Sequence, residues 1–145
     1  MLYLGADHGG FELKEQLKQK LSVAGQQLED LGAHTLNPDD DYPQYALAVA
    51  QKIVENPAHK GVLLCRSGGG MTIAANRFEG VRAVECGTVE EAIHAREHNN
   101  ANVLVLAGDV VSLEQAEEIM NTFLSTPFSN AERHERRIEE IEEQV

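Results

Sequence analysis

The segment from Cys65 to Asn76 contains the residue types of a proton-transfer site. It follows an apolar run at 61–64 and reads, in order, Cys-Arg-Ser-Gly-Gly-Gly-Met-Thr-Ile-Ala-Ala-Asn. A strand that turns through glycines into a helix directs backbone N–H groups at one point, where a phosphate or an oxyanion can bind. The same field favours the thiolate of Cys65, and a base beside an anion hole suits proton transfer next to a carbonyl. The loop alone is equally consistent with a buried cysteine followed by a tight turn.

Further polar residues follow the other apolar runs. Asp7 and His8 follow the first run, Cys86 ends the fourth, and Asp109 comes after the fifth. We favour a functional role for Asp7 and His8 because ligands bind at the carboxyl ends of parallel strands. The alternative is that Asp7 only caps the next helix.

His98 lies elsewhere, at the end of a predicted helix, where an imidazolium would complement the helix dipole. Cys86 is predicted to be core filler, and His34, His59 and His94 to be surface residues without a partner pattern. No group of Cys, His and carboxylates has metal-ligand spacing, so we predict no metal. The glycine loop lacks the Lys-Ser/Thr ending of a P-loop, which argues against a nucleotide site.

Short apolar runs alternate with helical patterns, which is typical of βαβ units. We predict an α/β fold, a three-layer α/β/α sandwich with a five-stranded parallel, Rossmann-like sheet whose strand order is left open. The predicted strands are 2–6, 27–31, 62–65, 81–86 and 102–107. The first predicted helix begins after Gly10, the second opens with the run 39–43 and ends near 54, and the third begins near 71. Three more helices are predicted at 89–97, at 113–124 and over the charged tail 130–145.

The composition limits the possible partners. The chain has 145 residues, which predicts one domain over 1–145, and its net charge is −12, from 12 basic and 24 acidic residues. We therefore do not expect nucleic acid or an anionic membrane as a partner. The sequence has no apolar run of the ~20 residues that a bilayer span needs and no basic region of a secretion signal. Two cysteines make no disulfide framework, so a cytoplasmic location is expected.

Five blocks of the sequence, taken together and in this order, resemble the type B ribose-5-phosphate isomerases, a family that also includes allose- and galactose-6-phosphate isomerases. The blocks cover nearly the whole chain. They are 5–14 (Gly-Ala-Asp-His-Gly-Gly-Phe-Glu-Leu-Lys), 40–43 (Asp-Asp-Tyr-Pro), 65–76, 96–104 (Arg-Glu-His-Asn-Asn-Ala-Asn-Val-Leu) and 133–137 (Arg-His-Glu-Arg-Arg).

The resemblance implies interconversion of an aldose phosphate and a ketose phosphate through a cis-enediolate, without metal or organic cofactor. It implies that Cys65 is the base that moves a proton between C1 and C2, and that Met71 replaces the glutamate that other members use. His98 would open the furanose ring, and Asp7 would assist at the sugar hydroxyls. The enediolate oxygen would be held by Ser67 and by the backbone amides of Gly68, Gly69, Gly70 and Met71.

The resemblance also implies the binding residues and the assembly. Asn99 and Tyr42 would contact the sugar, while His8, Arg133 and Arg137 would bind the phosphate. The sites of the family lie between subunits, so we expect a homodimer or a dimer of dimers. The polar C-terminal helix would then pack on the partner subunit.

Three positions depart from the family pattern. Asp109 stands where an arginine usually contacts the phosphate, Arg66 stands in place of a glycine, and Gly69 replaces a larger residue. Arg66 would either supply the lost cation or point to solvent. We therefore expect a ribose 5-phosphate isomerase and keep two alternatives open. One is an isomerase of an allose or galactose 6-phosphate type, and the other is a sugar-phosphate-binding protein without useful turnover.

Overall fold

The computed structural model describes residues 1–144, which form five strands and six helices. In chain order they are β1 (Leu2–Ala6), α1 (Phe11–Val23), β2 (Leu28–Asp30), α2 (Tyr42–Glu55), β3 (Lys60–Cys65), α3 (Gly69–Ala75), β4 (Ala83–Glu85), α4 (Val89–Glu97), β5 (Val103–Ala107), α5 (Leu113–Ser125) and α6 (Glu132–Glu142). Every predicted strand and helix within these residues is present. Val145, which the predicted tail helix included, lies outside the described residues.

Some boundaries differ from the predictions: β2 is one residue shorter at each end, β3 begins two residues earlier, at Lys60, and α6 begins two residues later, at Glu132. β4 is three residues long instead of six. The Asn76 side chain bonds both backbone groups of Ala83 at 2.8 and 2.9 Å, and the Asn102 side chain accepts the N–H of Arg82 at 2.8 Å. α3 begins two residues early because only Gly68, at φ +86°, remains outside the helix.

All strands are parallel, in the order β2-β1-β3-β5-β4, which completes the prediction of a parallel sheet. β3 lies in the middle, with Leu64 paired to Ala6 of β1 and Cys65 paired to Ala107 of β5. After β1 the chain continues to β2 at one edge of the sheet, and after β3 it continues to β4 at the other edge. The carboxyl ends of β1 and β3 therefore flank a topological switch point, where such sheets bind ligands.

Helices cover both faces of the sheet, as the three-layer prediction required. α1, α4 and α5 pack on the face that carries Leu2, Leu4 and Leu64. α2 and α3 pack on the other face, where Leu63 and Cys65 point. Within the described part of the chain, no helix is both long enough and apolar enough to cross a bilayer.

The start of α1 is pressed against β3. A Cβ atom at Gly10 would overlap the backbone carbonyl of Leu64 and contact its Cβ at 2.7 Å. This close approach holds the end of β1 beside the end of β3.

The C-terminal helix α6 contacts its own subunit near the beginning of β4 and the end of α4. Arg82 pairs with Glu142 at 2.9 Å, and the ring of His134 stacks on His98 at 4.3 Å. Its apolar residue Ile141 remains exposed. Packing of α6 on a partner subunit stays a prediction.

Candidate active site

The glycine loop surrounds the sulfur of Cys65 with backbone donors. The N–H of Gly68 donates to Sγ at 3.0 Å, and the backbone N–H groups of Ser67 and Met71 also act on the thiol. The strand–loop–helix arrangement is thus the one that the sequence predicted. Its donors converge on the sulfur.

Burial dominates the acidity of this thiol. Cys65 is 5% exposed, and burial raises its pKa, as does the charge of Asp7, while the amides of Gly68, Ser67 and Met71 lower the pKa. The net pKa is above the ordinary value. The loop amides thus favour the thiolate in the expected direction, but desolvation outweighs them.

Asp7 lies in the turn that joins β1 to α1, and a functional role for it stays a prediction. One carboxylate oxygen, Oδ1, accepts the N–H groups of Gly9 and Gly10 at 2.9 and 3.2 Å, so it stabilises the turn before α1 and does not cap the helix itself. Its charge is also felt at Cys65, so the carboxylate lies near the thiol at the same sheet edge.

His8 is held by a residue to which the sequence analysis gave no role. Asp40 Oδ1 lies 2.7 Å from the His8 ring nitrogen Nδ1 and accepts the backbone N–H of His8 at 3.0 Å. Asp40 Oδ2 accepts from the Tyr45 hydroxyl at 3.0 Å. Burial alone would raise the pKa of Asp40, but the hydrogen bonds from His8 and Tyr45 outweigh it and lower this pKa. The only sequence signal was the acidic run 39–41 before α2.

The beginning of α2 also brings Tyr42 to the glycine loop. A Cβ atom at Gly70 would collide with the Tyr42 ring, so the two residues are in direct contact. A Cβ atom at Gly69 would meet no neighbouring atom within 4 Å, which leaves that side of the loop open.

A polar cleft of about 400 Å³ adjoins these residues and is lined by His8, Gly9, Arg66, Gly108 and Asp109, among others. The stem of Arg66 lies directly over Gly9. Its guanidinium is 3.5 Å from the Asp109 carboxylate, and both side chains are exposed. The N–H of Asp109 donates to the carbonyl of Arg66 at 3.1 Å, so two of the departures from the family pattern are neighbours.

The remaining predicted residues form a second group at the opposite end of the sheet. His98 and Asn99 follow α4 and precede β5, whereas Cys65 lies at the level where β5 ends. A strand of this length spans at least about 13 Å. Arg133 and Arg137 are exposed on α6, which packs beside His98.

One subunit therefore brings two separate sets of predicted residues together. The first set is Asp7, His8, Tyr42, Cys65, Ser67, Gly68, Gly69, Gly70 and Met71. The second set is His98, Asn99, Arg133 and Arg137. We call them the strand-end group and the helix-end group.

Two histidines without an assigned role lie beside the helix-end group, namely His134 and His94, and His94 is exposed as the sequence predicted. His134 is buried, and its Nε2 is without a hydrogen-bond partner among the described residues. Burial lowers the pKa of His134, and the charges of Arg133, His98 and Arg137 lower it further. His94 is not partnerless, because its Nδ1 lies 3.2 Å from Nδ1 of His98. The i, i+4 spacing of His94 and His98 was the sequence signal that could have predicted this contact.

The other singled-out residues behave as structural groups. Burial raises the pKa of Cys86 to about 12, which fits core filler. His59 Nδ1 contacts the carbonyl of Lys52 at 2.7 Å. Among residues 1–144, one set of three possible metal ligands lies within 4.8 Å, namely Asp7, His8 and Asp40. Three hydrogen bonds from His8 and Tyr45 already engage both oxygens of Asp40, and the absence of a metal stays a prediction.

The fold and this arrangement define a small doubly wound α/β protein with a thiol, a carboxylate and a glycine loop at its switch point. The model of the Ribose/Galactose Isomerase family matches residues 2–141, and the chain belongs to this family. The resemblance noted from the sequence is thereby confirmed.

The relatives are similar over nearly their whole length. Ribose-5-phosphate isomerase B of Mycolicibacterium paratuberculosis is 43% identical over 142 residues, covering 98% of this chain and 89% of the relative. A crystal structure of ribose 5-phosphate isomerase from Thermotoga maritima has a TM-score of 0.94 and 48% identity, covering 98% and 97% of the two chains. The Mycoplasma genitalium ribose-5-phosphate isomerase B with bound ribulose-5-phosphate has a TM-score of 0.95 and 35% identity, covering 99% and 94%.

Proposed function

We propose that this protein is an aldose–ketose isomerase that interconverts ribose 5-phosphate and ribulose 5-phosphate. The observation that carries the proposal is the Cys65 thiol at the end of the central strand, with the Gly68 N–H at 3.0 Å and the Asp7 carboxylate nearby. The names of the relatives, and the ribulose-5-phosphate bound in one of them, support the choice of substrate.

The proposed reaction is a proton transfer between neighbouring carbons. The Cys65 thiolate takes the C2 proton of the open-chain aldose, and negative charge develops on the carbonyl oxygen as the enediolate forms. Ser67 and the loop amides from Gly68 to Met71 stabilise this oxygen. The thiol then returns the proton to C1, while one proton moves from O2 to O1, which yields the ketose. The balance requires no electron acceptor and no metal.

The raised pKa of Cys65 has two opposing effects on this step. It makes the thiolate a stronger base towards a carbon-bound proton, and it lowers the fraction of thiolate at neutral pH. The proposed reaction is therefore expected to accelerate as the pH rises.

We propose that two subunits complete each site. His98 would open the furanose ring with help from Asp7, yet the strand-end and helix-end groups lie at opposite ends of the sheet in one subunit. A symmetric dimer can place the helix-end group of one subunit opposite the strand-end group of the other. In that arrangement Arg133 and Arg137 meet His8 around the phosphate, and Asn99 meets Tyr42 around the sugar.

The test is an assay of the purified protein with ribose 5-phosphate, coupled to detection of C2 proton exchange with solvent. We expect turnover together with exchange. Tight binding of ribose 5-phosphate without exchange would instead favour a sugar-phosphate-binding protein. Absence of both binding and turnover would contradict the proposal.

Asp109 favours a second candidate, the same chemistry on an allose or galactose 6-phosphate. Its carboxylate lines the polar cleft beside His8, where it would repel a phosphate and change how the substrate is placed. Parallel assays with ribose 5-phosphate, allose 6-phosphate and galactose 6-phosphate separate the candidates by their kcat/KM values. A higher kcat/KM for a six-carbon sugar phosphate would make that sugar the proposed substrate instead of ribose 5-phosphate.

We also propose that Arg66 supplies a cation to the phosphate. Its stem lies over Gly9 next to His8, and its 3.5 Å pairing with the exposed Asp109 is weak. Arg66→Ala is expected to raise KM by about three- to fivefold, the effect of one exposed ionic contact. Asp109→Asn is the matched control and should lower KM. An unchanged KM in Arg66→Ala would mean that Arg66 points to solvent and does not contact substrate.

A further inference from the structure

The hydrogen bonds around Asp40 fix the state of the His8 ring. The Asp40 side chain is 1% exposed, and its lowered pKa keeps it ionised, so its oxygens only accept hydrogen bonds. The contact of 2.7 Å therefore requires that Nδ1 of His8 carries a proton. The other ring nitrogen, Nε2, is then the one available for a ligand.

The same contacts fix the position of the ring. Asp40 holds both the backbone N–H and the ring of His8, and Tyr45, on α2, holds the second oxygen of Asp40 at 3.0 Å. His8 is 27% exposed at its side chain and lines the polar cleft, where it meets Arg66. The buried carboxylate thus presents one defined edge of the imidazole to the cleft.

We propose that Asp40 is a positioning residue that acts through His8, with Tyr45 holding Asp40 in place. Asp40 keeps the Nδ1 proton of His8 directed inward, so that Nε2 faces the phosphoryl oxygens of the substrate. This inference rests on the proposed function, because the ligand it assigns to His8 is the phosphate of a sugar phosphate. Asp40 itself touches no substrate.

The decisive variant is Asp40→Asn, which keeps the shape of the side chain and removes its charge. Its amide can donate to Nδ1 and so reverse the tautomer. We expect KM for ribose 5-phosphate and the inhibition constant for inorganic phosphate to rise about tenfold, the effect of losing a hydrogen bond to a charged group, with kcat within about twofold. Asp41→Asn, an exposed neighbour with no contact to His8, is the matched control and should change neither constant.

Three further measurements distinguish positioning from general support of the fold. Asp40→Asn added to His8→Ala should not weaken phosphate binding further, because a residue that acts through His8 has no effect without it. Nitrogen NMR of the His8 ring should show a protonated Nδ1 in the unaltered protein and a changed tautomer in Asp40→Asn. Tyr45→Phe keeps the carboxylate, and a rise of KM of about threefold is expected from the loss of one hydrogen bond.

Several results would overturn the inference. They are equal constants in Asp40→Asn and Asp41→Asn, a full additional loss in the double variant, or an unprotonated Nδ1 in the unaltered protein. If Asp40→Asn does not fold, Tyr45→Phe and the ring spectrum still decide. Failure of the proposed function would look different, since the unaltered protein would not turn over ribose 5-phosphate while the ring tautomer could still be measured.

Discussion

The strand-end and helix-end groups differ in how firmly the fold holds them. The strand-end group lies where β1 and β3 end side by side, and backbone contacts such as that of Gly10 with Leu64 keep it compact. The helix-end group depends on α6, which is anchored by the Arg82–Glu142 pair and by the stacking of His134 on His98. One group is complete within the sheet, and the other is largely an exposed surface.

In the proposed reaction this difference separates the Cys65 proton shuttle from the two arginines of the phosphate site. Proton transfer needs atoms held to within a fraction of an ångström, and the strand-end group offers this. Phosphate binding by long arginine side chains tolerates a looser support, and the helix-end group provides the Arg133 and Arg137 pair one helical turn apart. The following predictions test whether the two groups separate in this way.

The largest effect is expected at the thiol. Cys65→Ala should lower kcat by about 10³-fold, because a positioned base contributes a factor of this order. Binding of ribose 5-phosphate should persist, which equilibrium titration can measure. Cys86→Ala is the control, since that thiol is buried elsewhere in the core, and its kcat should stay near that of the unaltered protein. Comparable losses in both variants would remove Cys65 from the reaction.

The second prediction tests whether the two groups meet between subunits. Cys65→Ala and His98→Ala are each expected to be nearly inactive. Co-expression of the two should restore about a quarter of the activity, because half of randomly formed dimers are mixed and each mixed dimer has one intact site. Turnover per protomer measures this outcome. If the mixture stays as inactive as its components, both groups must act within one subunit.

The pH dependence is the third test. Because burial raises the pKa of Cys65, the thiolate forms only above the ordinary range of a cysteine. The value of kcat/KM should increase with pH by about tenfold per unit until that pKa is passed. The rate of Cys65 alkylation should follow the same curve. A plateau that begins well below the ordinary thiol pKa would show that the loop amides dominate instead.

The smallest predicted effect concerns the rigidity of the strand-end group. Gly10→Ala should lower the free energy of unfolding by about 1–3 kcal/mol, since its new methyl group overlaps the backbone of Leu64. The new methyl group of Gly69→Ala meets no atom within 4 Å, so this variant should change the free energy of unfolding by less than about 0.5 kcal/mol. Urea titration measures both. Equal effects would mean that the approach of α1 to β3 is easily relaxed.

The sequence allowed the layers, the strands and the strand-end group to be predicted, because apolar runs and glycine turns are local signals. Asp7 follows β1 and Cys65 ends β3, so both were expected at the carboxyl edge of a parallel sheet, but that β1 and β3 are neighbours follows from the strand order, which the sequence left open. The strand order is not encoded locally, whereas the place of His98 at the end of a helix already set it apart from the carboxyl edge of the strands.

Long-range contacts account for what was missed. Asp40 reaches His8 across 32 positions of the chain, and an acidic run before a helix is as compatible with solvent as with a buried hydrogen bond. The raised pKa of Cys65 depends on how completely α2 and α3 cover it, which no local motif reveals. His134 was hidden in a charged tail where its neighbours are exposed.

The position of β3 in the middle of the sheet has a consequence for inactivation by heat. A strand with partners on both sides opens only when the whole sheet opens, whereas a terminal helix with few anchors detaches at a much lower cost in free energy. Warming should therefore abolish catalysis by releasing α6 while the secondary structure of the remaining chain is still intact. The strand-end group with its thiol would stay folded while α6 and its arginines detach, and cooling would restore the activity.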